Sequence, residues 1–130
     1  MANSPGMKSL TCLLAASVAF SALACGGSTV AGITKKQSDA VTAAKIKSCD
    51  RYQACGEIGS GKTYTDNTSC EADQTDTFNG RWPVADCDNK ISKSALQICL
   101  DAIVSTSCTN FIDQYNTAVN KCNKNTVCSG

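Results

Sequence analysis

The sequence predicts a small all-α domain of about four short helices, stapled by disulfides and preceded by a signal peptide and a flexible tether. Three observations carry that expectation. Eight cysteines fall in the last two thirds of the chain, apolar side chains recur there at three- and four-residue steps, and no run alternates apolar with polar residues as a half-buried strand does. The chain has 130 residues, 10 of them cysteine and none histidine, with 12 basic and 11 acidic side chains. That length suits one domain. The absence of histidine removes Ser-His and Cys-His nucleophilic pairs, His metal ligands and the commonest general base, so the expectation leans away from an enzyme. A net charge of +1 argues against nucleic-acid binding, which needs a basic face.

Residues 1–24 have the pattern of a lipoprotein signal peptide. Met1 to Lys8 is a short basic start, with Met7 a second possible initiator, and Leu10 to Ala24 is an uncharged apolar run of 15 residues. A membrane span needs ~20 residues, so the run suits a cleaved signal better. It ends in Ala22-Leu23-Ala24-Cys25, then Gly26-Gly27-Ser28. These residues fit an ordinary A-x-A cleavage site and also a bacterial lipobox, with Ala22 where leucine is usual. A cysteine directly after the site, followed by Gly-Gly-Ser, sets the expectation on lipidation of Cys25. Gly26, in place of Asp, resembles the pattern that sends lipoproteins to an outer membrane. The expected location is therefore the bacterial cell envelope, and the expected partner a membrane reached through a lipid anchor. Residues 25–37 are expected to form the lipidated N-terminus and a Gly/Ser/Thr-rich tether, and residues 38–130 the cysteine-rich helical domain.

Cys12 leaves with the signal and Cys25 takes the lipid, which leaves Cys49, Cys55, Cys70, Cys87, Cys99, Cys108, Cys122 and Cys128. An even number in an exported chain points to four bridges. No metal site and no cofactor are expected, because the intervening counts run from 5 to 16 and no C-x-x-C is present for zinc or thioredoxin-like chemistry. If Cys49 and Cys55 share a helix, their Cα atoms lie about 9 Å apart, beyond disulfide reach, and their directions differ by about 240°. Each then needs a partner on another element. The roughly hundred pairings that eight cysteines allow stay open.

Along the domain, Ser38 or Asp39 is expected to cap a helix to Cys55 that stops at Gly56, with Val41, Lys45, Cys49 and Tyr52 on one side. Lys35, Lys36, Lys45, Lys47 and Arg51 make this end basic. Thr68 and Glu71 form a T-x-x-E capping box for a short polar helix through about Phe78, broken by Asn79-Gly80 and Pro83. Ser92 caps the clearest helix, where Leu96, Cys99, Leu100 and Ile103 mark a buried face. A last helix is expected from Asn110 to about Cys122, with Phe111 or Ile112, Tyr115, Val119 and Cys122 inside. There is no internal repeat.

Several constellations invite a chemical role. Gly56-Glu57-Ile58-Gly59-Ser60-Gly61-Lys62-Thr63 matches the phosphate-binding pattern G-x-x-x-x-G-K-T, which works only between a buried strand and a helix N-terminus. A helix precedes it and a turn-like segment follows, so a plain connecting loop is expected. Asp86-Cys87-Asp88-Asn89 starts like a calcium loop, but Lys90 takes the next ligand place and Gln97 the closing one. From Asp66 to Asp88 six acids face Arg81 alone, an acidic stretch expected to be solvated and distant from the basic first helix. Asn67-Thr68-Ser69 is a glycosylation sequon, discounted beside a bacterial signal. Trp82 and Tyr64 could line a surface groove, but core filling is the expectation. Converging carboxylates among Glu57, Glu71 and Asp76 in an apolar cavity would favour catalysis.

Cys49-x-x-Tyr52-x-x-Cys55-Gly56, the glycine loop reaching Tyr64, Cys70, Trp82 before Cys87, Leu96-x-x-Cys99-Leu100, Cys108, Cys122 and Cys128 together resemble a family of small cysteine-rich lipoproteins known mainly from myxobacteria. Some of its members carry a label tying them to natural-product biosynthesis loci, without an assigned reaction. The resemblance implies an anchored, disulfide-framed domain, carries over no catalytic or binding residue and leaves the activity open. The expected function is a binding or interaction module at the outer membrane; the alternative is an accessory lipoprotein in the biosynthesis, maturation or export of a natural product. No protein or small-molecule partner is named by the residues.

Overall fold

The computed structural model describes Val30 and residues 32–130. The signal peptide expected over residues 1–24, with Cys12, and the expected lipidation site at Cys25 lie outside the described residues. Among the described residues the chain forms α1 (Gln37–Ala54), α2 (Asn67–Arg81), α3 (Val84–Cys87), α4 (Lys93–Val104), α5 (Phe111–Val119) and α6 (Lys124–Val127), with no strand beyond an isolated bridge between Ile58 and Tyr64. The all-α expectation holds. Four helices have nine residues or more, and α3 and α6 are single turns.

Helix α1 buries Ala40, Val41, Ala44, Ser48, Cys49 and Tyr52 along one stripe and packs chiefly on α2, then on α4. It stops where predicted. Gly56 adopts φ +72°, its N–H donates to the Gln53 carbonyl, and the Glu57 N–H donates to the Tyr52 carbonyl. These two bonds satisfy the last carbonyls as a Schellman motif, and a side chain at Gly56 would strain the left-handed backbone. The start differs from the expected Ser38 or Asp39 cap. Lys36 is the N-cap and bonds through no side chain, while the Asp39 carboxylate lies in the first turn and accepts from the Thr34 N–H and hydroxyl. Nor does the tether reach Gln37 free of the domain. Val30 and Ile33 pack against the core, the Val30 N–H donates to Gln97 Oε1 at 3.2 Å, and Gln37 is buried with its amide donating to the Trp82 carbonyl at 2.7 Å. Apolar side chains at positions 30 and 33 gain more from burial than a solvated linker offers.

Helix α2 corrects the second cap. Asp66 accepts from the Ser69 N–H at 2.7 Å and Ser69 Oγ accepts from the Asp66 N–H, so the box sits two residues before Thr68-x-x-Glu71. The helix also runs through Asn79-Gly80 to Arg81, past the break expected at Phe78. Phe78 and Trp82, one turn apart, are both fully buried with ring centroids 5.0 Å apart, and that burial outweighs the roughly 1 kcal/mol of a mid-helix glycine. Trp82 therefore fills the core, its Nε1–H donating to the Cys122 carbonyl at 3.0 Å.

Helix α4 begins at the predicted cap, Ser92 accepting from the Ala95 N–H, and buries Leu96, Cys99, Leu100 and Ile103. Helix α5 takes Phe111 into the core and leaves Ile112 exposed. It ends at Val119, earlier than the expected Cys122, since tight turns from Ala118 and Val119 carry Cys122 inward to reach α4. The connector 88–92 is clamped from both ends of the domain: the Lys35 carbonyl accepts from the Ile91 N–H, the Val127 carbonyl from the Ser92 N–H, and the Lys90 carbonyl from the Gly130 N–H.

Candidate functional site

All eight predicted framework cysteines are bridged: Cys49–Cys70, Cys55–Cys108, Cys87–Cys128 and Cys99–Cys122. As the helical geometry required, Cys49 and Cys55 go to different elements, α2 and the loop after α4. The bridges thus tie α1 to α2, the end of α1 to the α4–α5 loop, α3 to the C-terminal tail, and α4 to the turn after α5.

The polar groups with the strictest geometry lie on the α1, α2 and α5 helices, where Ser48, Gln74 and Tyr115 are buried. A phenol has one proton, and an amide oxygen can only accept it, so the Tyr115 O–H donates to Gln74 Oε1 at 2.6 Å. The Ser48 hydroxyl, 2.7 Å away, then donates to Tyr115. Gln74 Nε2 donates to the Tyr64 hydroxyl at 2.9 Å, and Tyr64 donates to Asp73 Oδ2 at 2.5 Å. The chain of donors runs one way, from the buried serine to an exposed carboxylate. Burial pushes Tyr115 above the ordinary phenol range; burial first, and then the bond to Asp73, does the same to Tyr64. Burial also raises Tyr52, whose ring meets Tyr64, Phe111 and Tyr115 edge-on at 4.7 to 4.9 Å. Phenols held neutral in this way are no bases at neutral pH, and the network fixes the register of three helices. Sequence reasoning missed it, although Ser48 between Ala44 and Tyr52, and Gln74 between Cys70 and Phe78, are polar residues at stripe positions.

An open groove of about 260 Å³ lies between α4 and the C-terminal turns, lined by Ala95, Ile98, Asn120, Lys121, Asn123 and Thr126. Ile98 is 60% exposed there. None of Glu57, Glu71 or Asp76 lines it. Glu57 accepts from the Thr63 hydroxyl at 2.6 Å, and Glu71 pairs with Lys45 of α1 at 3.3 Å. That ion pair corrects the expected separation of acidic stretch and basic helix: α1 packs directly on α2.

Four more acids are engaged within the chain. Asp66 caps α2, Asp73 receives Tyr64, Asp86 pairs with Lys124 at 2.8 Å, and Asp88 accepts from the Gln37 N–H. No group of three or more potential metal ligands occurs among the described residues. The phosphate-loop pattern lies between the end of α1 and Asn67, so no strand precedes it and α2 opens only after Asp66. Its backbone is closed on itself, the Gly59 N–H donating to the Tyr64 carbonyl and the Tyr64 N–H to the Glu57 carbonyl. No described helix is long and apolar enough to cross a membrane.

Residues 49–130 match a family of unknown function, DUF6184. That span opens at the first bridged cysteine and takes in all four bridges. No curated protein and no solved structure matches the chain.

Proposed function

The chain belongs to the DUF6184 family of unknown function, and from its residues we propose an exported, outer-membrane-anchored lipoprotein whose disulfide-framed domain is a binding or interaction module. The observation that carries the proposal is the complete pairing of the eight cysteines. Four bridges within so short a domain suit an oxidising compartment, because cytosolic thiols are kept reduced. The Cys25 that stands apart from the framework is then free for lipid. Val30 is seated beside Gln97 of α4, only a few residues after Cys25, which keeps the domain close to its anchor.

A binding role is favoured over catalysis because the carboxylates at Glu57, Glu71 and Asp76 do not converge on the groove, which instead offers Ile98 to solvent. Mass spectrometry of the chain from a membrane fraction should find diacylglyceryl on an N-terminal Cys25. Alkylation should find no free thiol before reduction and eight after it. An unmodified Cys25 at the N-terminus refutes the anchor, and two or more free thiols beforehand refute the framework. Replacing Glu57, Glu71 and Asp76 by their amides should leave complementation of a strain lacking the chain unchanged; its loss in a folded variant returns these carboxylates to a catalytic role.

A further inference from the structure

Three of the four bridges are shielded by the core. Cys49 and Cys70 are 1% and 0% exposed, Cys99 and Cys122 are both at 0%, and Cys87 at 0% covers one side of its bridge to half-buried Cys128. Cys55–Cys108 differs, since Cys55 is half-buried and Cys108 is exposed. Its neighbours Ser107, Thr109 and Asn110 are exposed too, and Asn110 holds a left-handed φ of 50°. Of the four described bridges, Cys55–Cys108 spans the longest sequence separation, 53.

We propose that Cys55–Cys108 is a thiol–disulfide exchange site, open to an external thiol or dithiol while the other three bridges stay closed. The assignment stands on the folded domain alone and holds whether or not Cys25 carries lipid. An incoming thiolate attacks the exposed Cys108 sulfur, forming a new S–S bond as the old one breaks. The electron pair leaves on Cys55, which takes a proton from water. With a monothiol the product is a mixed disulfide on Cys108. With a dithiol, the second thiolate attacks the donor sulfur of that mixed disulfide and releases Cys108, so two electrons and two protons pass to the protein and the donor leaves as a disulfide.

One feature suits the site to this step: the Arg51 guanidinium, from the last turn of α1, grips the loop that carries Cys108. The same guanidinium donates from Nε to the Thr106 carbonyl at 2.7 Å and from Nη2 to the same oxygen, and Thr106 is buried. Its grip lies two residues before Cys108, so the α4–α5 loop keeps an anchor when the bridge opens. Cys99–Cys122 separately holds the far side of α4.

Limiting dithiothreitol on the oxidised, folded chain, quenched with iodoacetamide and mapped by peptide mass, tests the assignment. Cys55 and Cys108 should carry about ten-fold more label than any other framework cysteine, with helical circular dichroism unchanged at that stage. Glutathione should leave its adduct on Cys108. First labelling of Cys87 and Cys128, equal labelling of all eight, or loss of helix in step with the first label overturns the proposal. In the double variant Cys55→Ser/Cys108→Ser the fast phase of labelling should vanish, and its persistence overturns the proposal as well. The wild-type map decides the matter by itself if that variant does not fold.

Discussion

Tyr115 shows what one hydroxyl does in this domain. Its ring contributes to the aromatic cluster around Tyr52, and its proton satisfies Gln74 Oε1 while its oxygen meets Ser48. Tyr115→Phe keeps the ring and removes both bonds, leaving buried polar atoms on α1 and α2 without that partner. The expected cost is about 1–3 kcal/mol, the usual penalty for unsatisfied buried groups. Tyr64→Phe should cost less, under about 1 kcal/mol, because water can replace its hydroxyl at exposed Asp73 and the Gln74 amide that donated to it keeps Asp73 Oδ2 at 3.5 Å as an acceptor. Urea unfolding of both variants at neutral pH ranks them, and equal costs would mean that the buried network contributes no more than its exposed end.

At the level of elements, the two rival capping boxes of α2 separate cleanly. Asp66 makes the cap bond to the Ser69 N–H, whereas Thr68 is exposed and outside the box. Asp66→Ala should lower the urea midpoint and Thr68→Ala should leave it unchanged. The cap is also pH-dependent. The bond from the Ser69 backbone holds the Asp66 carboxyl below its usual range, so the folded state favours the ionised form. The stabilisation is present above the unfolded carboxylate value and is lost as pH falls through the lower folded value. The gap between wild type and Asp66→Ala should therefore be full at pH 7 and close in strong acid; a gap independent of pH would assign the effect to something other than the ionised cap. Periodicity made α1, α4 and α5 legible, because each has a stripe long enough to show a period. It said nothing of α3 and α6, since four residues hold barely one turn. The cap was misplaced because Asp66-x-x-Ser69 and Thr68-x-x-Glu71 overlap, and local sequence does not reveal which register lets Cys70, Gln74 and Phe78 face inward. The polar network was hidden for a related reason: Ser48 and Tyr115 are 67 residues apart and meet only after packing.

For the molecule as a whole, the framework was legible as a number of bridges and illegible as a pairing, because connectivity depends on which helix faces meet. The observed pairing sets two opposing effects against each other. Chain entropy favours Cys55–Cys108, whose separation of 53 is just over twice the 23 of Cys99–Cys122. That ratio is worth only about 0.7 kcal/mol, since closure entropy grows with the logarithm of loop length. Burial favours Cys99–Cys122, where both residues are fully enclosed among Leu96, Leu100 and Ile103 of α4 and their neighbours. Truncating two enclosed sulfurs costs about 1–2 kcal/mol each in lost contacts and residual space, and the exposed end at Cys108 has little of either to lose. Burial therefore wins. Cys99→Ala/Cys122→Ala should be less stable than Cys55→Ser/Cys108→Ser by at least about 1 kcal/mol in guanidinium unfolding, even though it releases the shorter loop. The reverse order would show that loop closure dominates, and that these bridges act mainly on the unfolded chain.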